Sequence, residues 1–252
     1  MPRSLIVFGG ALIFLAGCAS LAPMTLPERD TLYQVSTLGA LQQGLYQGGM
    51  TYGQLEQHGD FGVGTFDALD GEMVATDGKF YQVTSDGVAH RVQDSATAPF
   101  AAITFFDADK TITLDQSVDF QGLGDFLDKQ LPTKNIFYAI KTVGTFEYIK
   151  TRSVPRQKEP YPPLAEVVKT QPTFEFNNVQ GTLVGLRSPD YVAGLNQPGY
   201  HFHFITADEK SGGHVLEMKL HGVTIALDET RNWETVLPNV PAFNSATFSA
   251  PK

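Results

Sequence analysis

Hydrophobic and polar positions alternate in three short runs, Glu72–Ala75, Lys79–Val83 and Val88–Val92, separated by Asp77-Gly78 and Asp86-Gly87. Asp and Gly accept positive φ, so these dipeptides predict tight hairpin turns joining antiparallel strands. Ala101 to Phe106 adds a further apolar strand. Ahead of the strands, Ser36–Gln43 and Tyr52–His58 are short segments with helical spacing, separated by a Gly-Gly turn. Val118–Leu127 carries the best helical pattern in the chain. Phe137–Thr151 predicts two strands around Val143-Gly144, and strand patterns resume from Phe174 to about Leu227. Between them, Pro155–Pro163 contains four prolines, which predicts a loop or extended crossing and a seam between two halves. No repeat or low-complexity tract interrupts this order.

The N-terminus has a different character. Behind Arg3, Leu5 to Ala16 is a nearly unbroken apolar run. It falls short of the roughly 20 residues that a bilayer span needs, and it ends in small residues, as export signals do. Leu15-Ala16-Gly17-Cys18 resembles the lipobox of bacterial lipoproteins. That resemblance implies a signal peptide over residues 1–17, lipidation of Cys18, a tether over 18–30 and a membrane contact made by the lipid alone. Ala19 stands where an Asp would signal inner-membrane retention, so an exported protein at the outer membrane or periplasmic face is expected. An ordinary secretory signal with an incidental cysteine is the alternative.

With 252 residues, 42% hydrophobic and 18% charged, the chain can bury a sizeable core. A net charge of −9 argues against a nucleic-acid partner. The single cysteine excludes an intrachain disulfide and any multi-thiolate metal site.

Three of the six histidines fall in one passage, Tyr200-His201-Phe202-His203-Phe204 followed by Gly212-Gly213-His214. In a strand, His201 and His203 share one face while Phe202 and Phe204 share the other. If the chain turns near Asp208-Glu209, His214 lies opposite His203 on that same face. Three imidazoles with an open fourth position make the arrangement of a catalytic zinc. The plainer reading is a hairpin with solvent-facing histidines. His221 reads as a turn or surface residue, and nothing nearby supports His58 or His90 as ligands.

Several passages together resemble bacterial acetolactate decarboxylase, from about Leu32 to Phe248. They are Tyr33-Gln34-Val35-Ser36-Thr37, His58-Gly59-Asp60-Phe61-Gly62-Val63-Gly64-Thr65-Phe66, Leu69-Asp70-Gly71-Glu72, Ala98-Pro99-Phe100-Ala101, Lys150-Thr151-Arg152 and the histidine passage itself. The resemblance implies an α+β, β-rich fold of two parts with mixed or antiparallel sheets and few helices, spanning residues 31–252, and usually a homodimer. It implies conversion of 2-acetolactate to acetoin and carbon dioxide. It also implies a zinc ion on His201, His203 and His214, with Glu72 and Arg152 in the same pocket and Thr65 at its wall. Members of the family commonly continue into an acidic tail that sends a second glutamate to the metal; here the last side-chain carboxylate is Glu234.

The chemistry suits those residues. Decarboxylation leaves an electron pair on carbon, and zinc chelated by ketone and hydroxyl oxygens would stabilise the resulting enediolate. Arg152 suits a departing carboxylate and Glu72 suits proton delivery. Lys141, Lys150, Arg152, Arg156 and Lys158, opposed by Glu147 and Glu159, predict a positive region for a small anionic 2-hydroxy-3-oxo acid. Two other readings stay open. One is a cupin-like metalloenzyme using Asp208 or Glu209 as a ligand. The other is a lipid-anchored binding domain that has lost turnover.

Overall fold

In the computed structural model, which describes residues 29–248, short local turns build the first layer. Its elements are β1 (Thr31–Val35), α1 (Leu38–Gln42), β2 (Met50–Thr51), α2 (Tyr52–Leu55), β3 (Phe61–Thr65), β4 (Glu72–Thr76), β5 (Lys79–Val83), β6 (Ala89–Arg91), β7 (Thr97–Ala98) and β8 (Phe100–Thr104). Asp77 and Gly78 take φ values of 53° and 70°, so Thr76 pairs with Lys79 across a two-residue turn. The Asp86-Gly87 turn is wider than expected, because Val83 pairs with Ala89 and five residues bridge them.

The second layer contains β9 (Lys110–Leu114), β10 (Val118–Asp119), α3 (Phe120–Asp128), β11 (Phe137–Arg152), α4 (Leu164–Val167), β12 (Thr173–Ser188), β13 (Gly199–Thr206), β14 (Gly212–Leu220) and β15 (Val223–Thr230). β16 (Asn232–Val236) then returns to pair in parallel with β1, and α5 (Pro241–Ser245) follows. The result is two seven-stranded sheets, ordered β16-β1-β8-β3-β4-β5-β6 and β10-β14-β13-β12-β11-β15-β9, with a small β2–β7 pair. The fold is thus α+β and β-rich, with few helices.

Two expectations need correction. Phe137–Arg152 is one sixteen-residue strand, not two. At Val143-Gly144 it changes partner instead of turning: residues up to Val143 pair with β15, and residues from Phe146 pair with β14. The proline-rich segment is no seam either. It connects β11 and β12, two neighbours within the second sheet, while the chain crosses between layers after β8 and again before β16.

Because β14 pairs with both β13 and β11, the strands β11, β12, β13 and β14 curl into a closed ring. Phe146, Ile149, Leu183, Phe202, Phe204 and Met218 fill it, and Leu123 and Leu127 of α3 cover one end. Its outer face, with Phe137, Ala139, Val184, Leu186 and Ile205, packs against Leu32, Val63, Val74, Val83 and Ala102 of the first sheet. Burial of these apolar faces is the main cohesive force between the layers. Among the described residues, no helix is long and apolar enough to cross a membrane. The proposed signal segment, Cys18 and most of the tether lie outside the described residues.

Candidate metal centre and active site

The alternation of β13 decides where its histidines go. Phe202 and Phe204 enter the ring, so His201 and His203 face the first sheet, opposite Leu186 and Val184 of β12. The β13–β14 hairpin pairs His203 directly with His214. The β11–β14 register slips between Lys150 and Thr151, leaving Leu216 as an extra residue on β14; Lys150 faces Glu217, but Arg152 then faces His214. Without that bulge Val215 would stand opposite Arg152. Gly213 allows the approach: its φ is +129°, and a Cβ there would lie 2.4 Å from the Arg152 carbonyl oxygen.

Three imidazole nitrogens converge. His201 Nε2 lies 3.0 Å from His214 Nδ1, and His214 Nδ1 lies 3.3 Å from His203 Nε2. Tetrahedral ligands at 2.0–2.1 Å from zinc stand about 3.3 Å apart, so this spacing fits one ion. The backbone carbonyl of Met73 can only accept, so His203 Nδ1, 2.7 Å away, donates to it and leaves Nε2 free as a ligand. Burial pushes all three pKa values down, with the Arg152 charge adding to the effect; His201 falls to about 4 and the other two fall well below the ordinary 6.5. Neutral imidazoles are the form a metal needs. The donor set and spacing fit a zinc-type ion.

This sets a pH prediction. A lowered pKa means that protons compete with the metal only in strong acid. Metal content after dialysis should therefore stay constant from about pH 8 to about pH 5 and fall only at lower pH. Half-loss near 6.5 would overturn the claim that burial keeps the ligands neutral.

The first sheet supplies the acid. Glu72, opposite Thr65 across β3–β4, is 5% exposed. Its Oε1 accepts from Arg152 Nη1 at 2.7 Å, and its Oε2 lies 3.7 Å from His203 Nε2. Burial raises the Glu72 pKa and Arg152 partly opposes that. Thr65 donates its hydroxyl to the Gly71 carbonyl at 2.6 Å, so its methyl and backbone serve as wall. On either side of Arg152, the buried Thr151 and Ser153 hydroxyls donate to the carbonyls of Gly212 and Val83 and fix the end of β11. Thr65, Glu72, Arg152, His201, His203 and His214, the six pocket residues that the resemblance implies, line one cavity of about 350 Å³. Glu72 is its carboxylate and Arg152 its cation, among the described residues.

Other sequence candidates lie elsewhere. Lys141 pairs with Asp77, Lys150 with Glu217 and Arg156 with Asp67 and Asp70, and Lys158 is exposed and does not line the cavity, so the expected positive region reduces to Arg152 there. Asp208 and Glu209 cap the hairpin turn, where Glu209 pairs with Lys79, and neither lines the cavity. His58 stacks on Tyr33 at 3.8 Å, and His90 and His221 are exposed. Sequence reasoning missed the Met73 carbonyl, Thr151, Ser153 and Tyr200, and it missed the aliphatic side of the cavity contributed by α1 and α4.

A family model described as alpha-acetolactate decarboxylase matches residues 32–250. The chain belongs to that family. An alpha-acetolactate decarboxylase from Methanosarcina mazei is 51% identical over 217 residues, covering 86% of this chain and 75% of the relative. The Bacillus subtilis enzyme of the same name is 41% identical over 220 residues, covering 87% and 86%. A crystal structure of alpha-acetolactate decarboxylase from Bacillus subtilis strain 168 superposes with a TM-score of 0.86 at 41% identity, over 88% of this chain and 94% of that one. As an alpha-acetolactate decarboxylase family member, the protein is a carboxy-lyase acting on a small molecule.

Proposed function

We propose that the protein converts 2-acetolactate to acetoin and carbon dioxide, using a zinc ion held by His201, His203 and His214. The observation that carries this reading is the meeting, in one cavity, of three imidazole nitrogens with a half-buried Arg152 paired to a buried Glu72. A zinc ion held by these three histidines would supply Lewis acidity to the developing negative charge. Arg152 draws the substrate carboxylate into place, and its planar guanidinium can serve that group and Glu72 together. When the carbon–carboxyl bond breaks, its electron pair stays on the substrate carbon. Glu72, whose raised pKa makes the protonated form accessible, delivers the proton that replaces the carboxyl group. A carboxyl fixed by Arg152 approaches one face only and so sets the handedness of the product.

The deciding experiment supplies racemic acetolactate to the soluble domain from Ala19 onward and measures acetoin together with bound metal. Acetoin formed in proportion to zinc content supports the reading. Bound zinc without acetoin points to a binding-only descendant, and neither metal nor acetoin overturns it.

We also propose that the chain is exported and lipid-anchored through Cys18, and that it works as a homodimer. The apolar run ending in Leu15-Ala16-Gly17-Cys18 supports the anchor. Cys18→Ser should move the protein from the membrane fraction to the soluble fraction and abolish labelling with radioactive palmitate; unchanged partition would remove the anchor.

A further inference from the structure

One side of the cavity is an apolar wall of Leu38, Leu41, Leu69, Phe100, Val154 and Leu164, while Phe120, Phe202 and Val215 line it elsewhere. The six wall residues belong to one hydrophobic cluster, with Leu41, Leu69, Phe100 and Val154 buried and Leu38 and Leu164 half-buried at its edge. Leu38 and Leu41 come from α1 and Leu164 from α4. We infer that this wall is an alkyl-binding subsite, and that the enzyme takes 2-hydroxy-3-oxo acids whose apolar substituent is longer than ethyl, with Leu41 and Leu164 setting the length. The inference rests on the decarboxylase reading above.

The polar contacts leave little choice of orientation. The substrate carboxylate is attracted to Arg152, the cavity's cation, and its oxygens to the histidine centre. What remains of the molecule is its carbon substituents, and the remaining lining is largely apolar. A volume of about 350 Å³ is more than acetolactate itself fills. A longer chain would displace water from apolar surface, which favours binding. Leu38 and Leu164, being half-buried, place the far end of the subsite toward solvent, so an extended chain need not collide with a closed floor.

The wall is also preformed. Gln34 is fully buried and sews α1 to the segment 194–196: its Nε2 donates to the carbonyls of Ser36 and Leu195, and its Oε1 accepts from Asn196 Nδ2, each at 2.8 Å. Leu38 and Gly39 donate their backbone N–H groups to the carbonyls of Leu195 and Gly194. Beyond α1, the Tyr46 hydroxyl donates to the Pro162 carbonyl just before α4, and Gly44, at φ +85°, passes too close to that oxygen to carry a Cβ. Both helices are therefore fixed before substrate arrives, and little ordering cost opposes binding of an alkyl chain.

The test uses the purified full chain and a series of 2-hydroxy-2-alkyl-3-oxobutanoates from methyl to butyl. kcat/KM should hold or rise through propyl, by up to about fourfold per buried methylene. Leu164→Phe should lower the propyl-to-methyl ratio of kcat/KM by about tenfold or more, and Leu164→Ala should raise the butyl-to-methyl ratio. A propyl compound tenfold worse than methyl in the unmodified enzyme, or ratios unmoved in both variants, would overturn the subsite. Calorimetric binding of 2-hydroxy-2-alkyl acids without the ketone gives a readout independent of turnover. Their affinity should tighten with chain length and lose that trend in Leu164→Phe. If acetolactate is not decarboxylated at all, the functional reading fails while this binding series still decides the subsite.

Discussion

Replacing His203 with alanine should give a protein that carries no metal and forms no acetoin. The side chain is 1% exposed, and its two nitrogens have separate tasks. Nδ1 donates to the Met73 carbonyl of the first sheet, while Nε2 joins His201 and His214 of the second. Truncation removes one of three converging ligands and leaves the Met73 oxygen without its donor. Two imidazoles hold a divalent ion far more weakly than three, so dialysed protein should contain well under a tenth of an equivalent. Activity should fall by at least about a thousandfold, because stabilisation of the developing negative charge is lost with the ion. Stability should also drop, by about 1–3 kcal/mol for the orphaned carbonyl, which for a chain of this size is several degrees in melting temperature. His90→Ala, on the exposed strand β6, should retain its metal, which separates loss of a ligand from loss of any imidazole. A full equivalent of zinc in His203→Ala would remove His203 from the ligand set.

That centre is readable from sequence because it depends on two local rules. Period-two alternation places His201 and His203 on one face, and the length of the loop from Ala207 to Ser211 brings His214 opposite His203. The short hairpin at Asp77-Gly78 is readable for the same reason. What depends on distant partners is not. Nothing near Val143-Gly144 tells that β11 runs straight on, because the cause is a change of neighbour from β15 to β14, and a Cβ on Gly144 would collide with Val223. The bulge that sets Arg152 opposite His214 is equally hidden. Counting basic residues along the chain misled, since Lys141 is neutralised by Asp77 in the β4–β5 turn and Lys150 by Glu217 on β14. The roles of Glu72 and Arg152 came from family resemblance, and only their contact across the two sheets gives that resemblance a geometric basis. The α1–α4 wall joins residues more than a hundred positions apart, beyond any periodicity.

Glu72→Gln tests the other half of the chemistry. The substitution keeps size and shape, and the amide oxygen can still accept from Arg152 Nη1, so the guanidinium keeps a partner. The three histidines are untouched, and a full equivalent of metal should remain. What disappears is a titratable proton. The carboxyl is buried and its pKa is raised from the usual carboxylate value, so it can donate where an exposed glutamate would already be ionised. An amide cannot replace it, and kcat should fall by about a hundredfold to ten-thousandfold, the usual range for loss of a general acid. KM should change little, because Arg152 still meets the substrate carboxylate. Residual turnover would take its proton from water, which can reach either face, so the acetoin formed should approach a racemate by chiral chromatography. The melting temperature should be no lower, since a neutral amide avoids the cost of burying a carboxylate. Loss of metal would show that Glu72 supports the ligand cluster instead of the proton transfer. Unchanged kcat with a single enantiomer would exclude it from both roles and leave Arg152 and the histidines as the working groups.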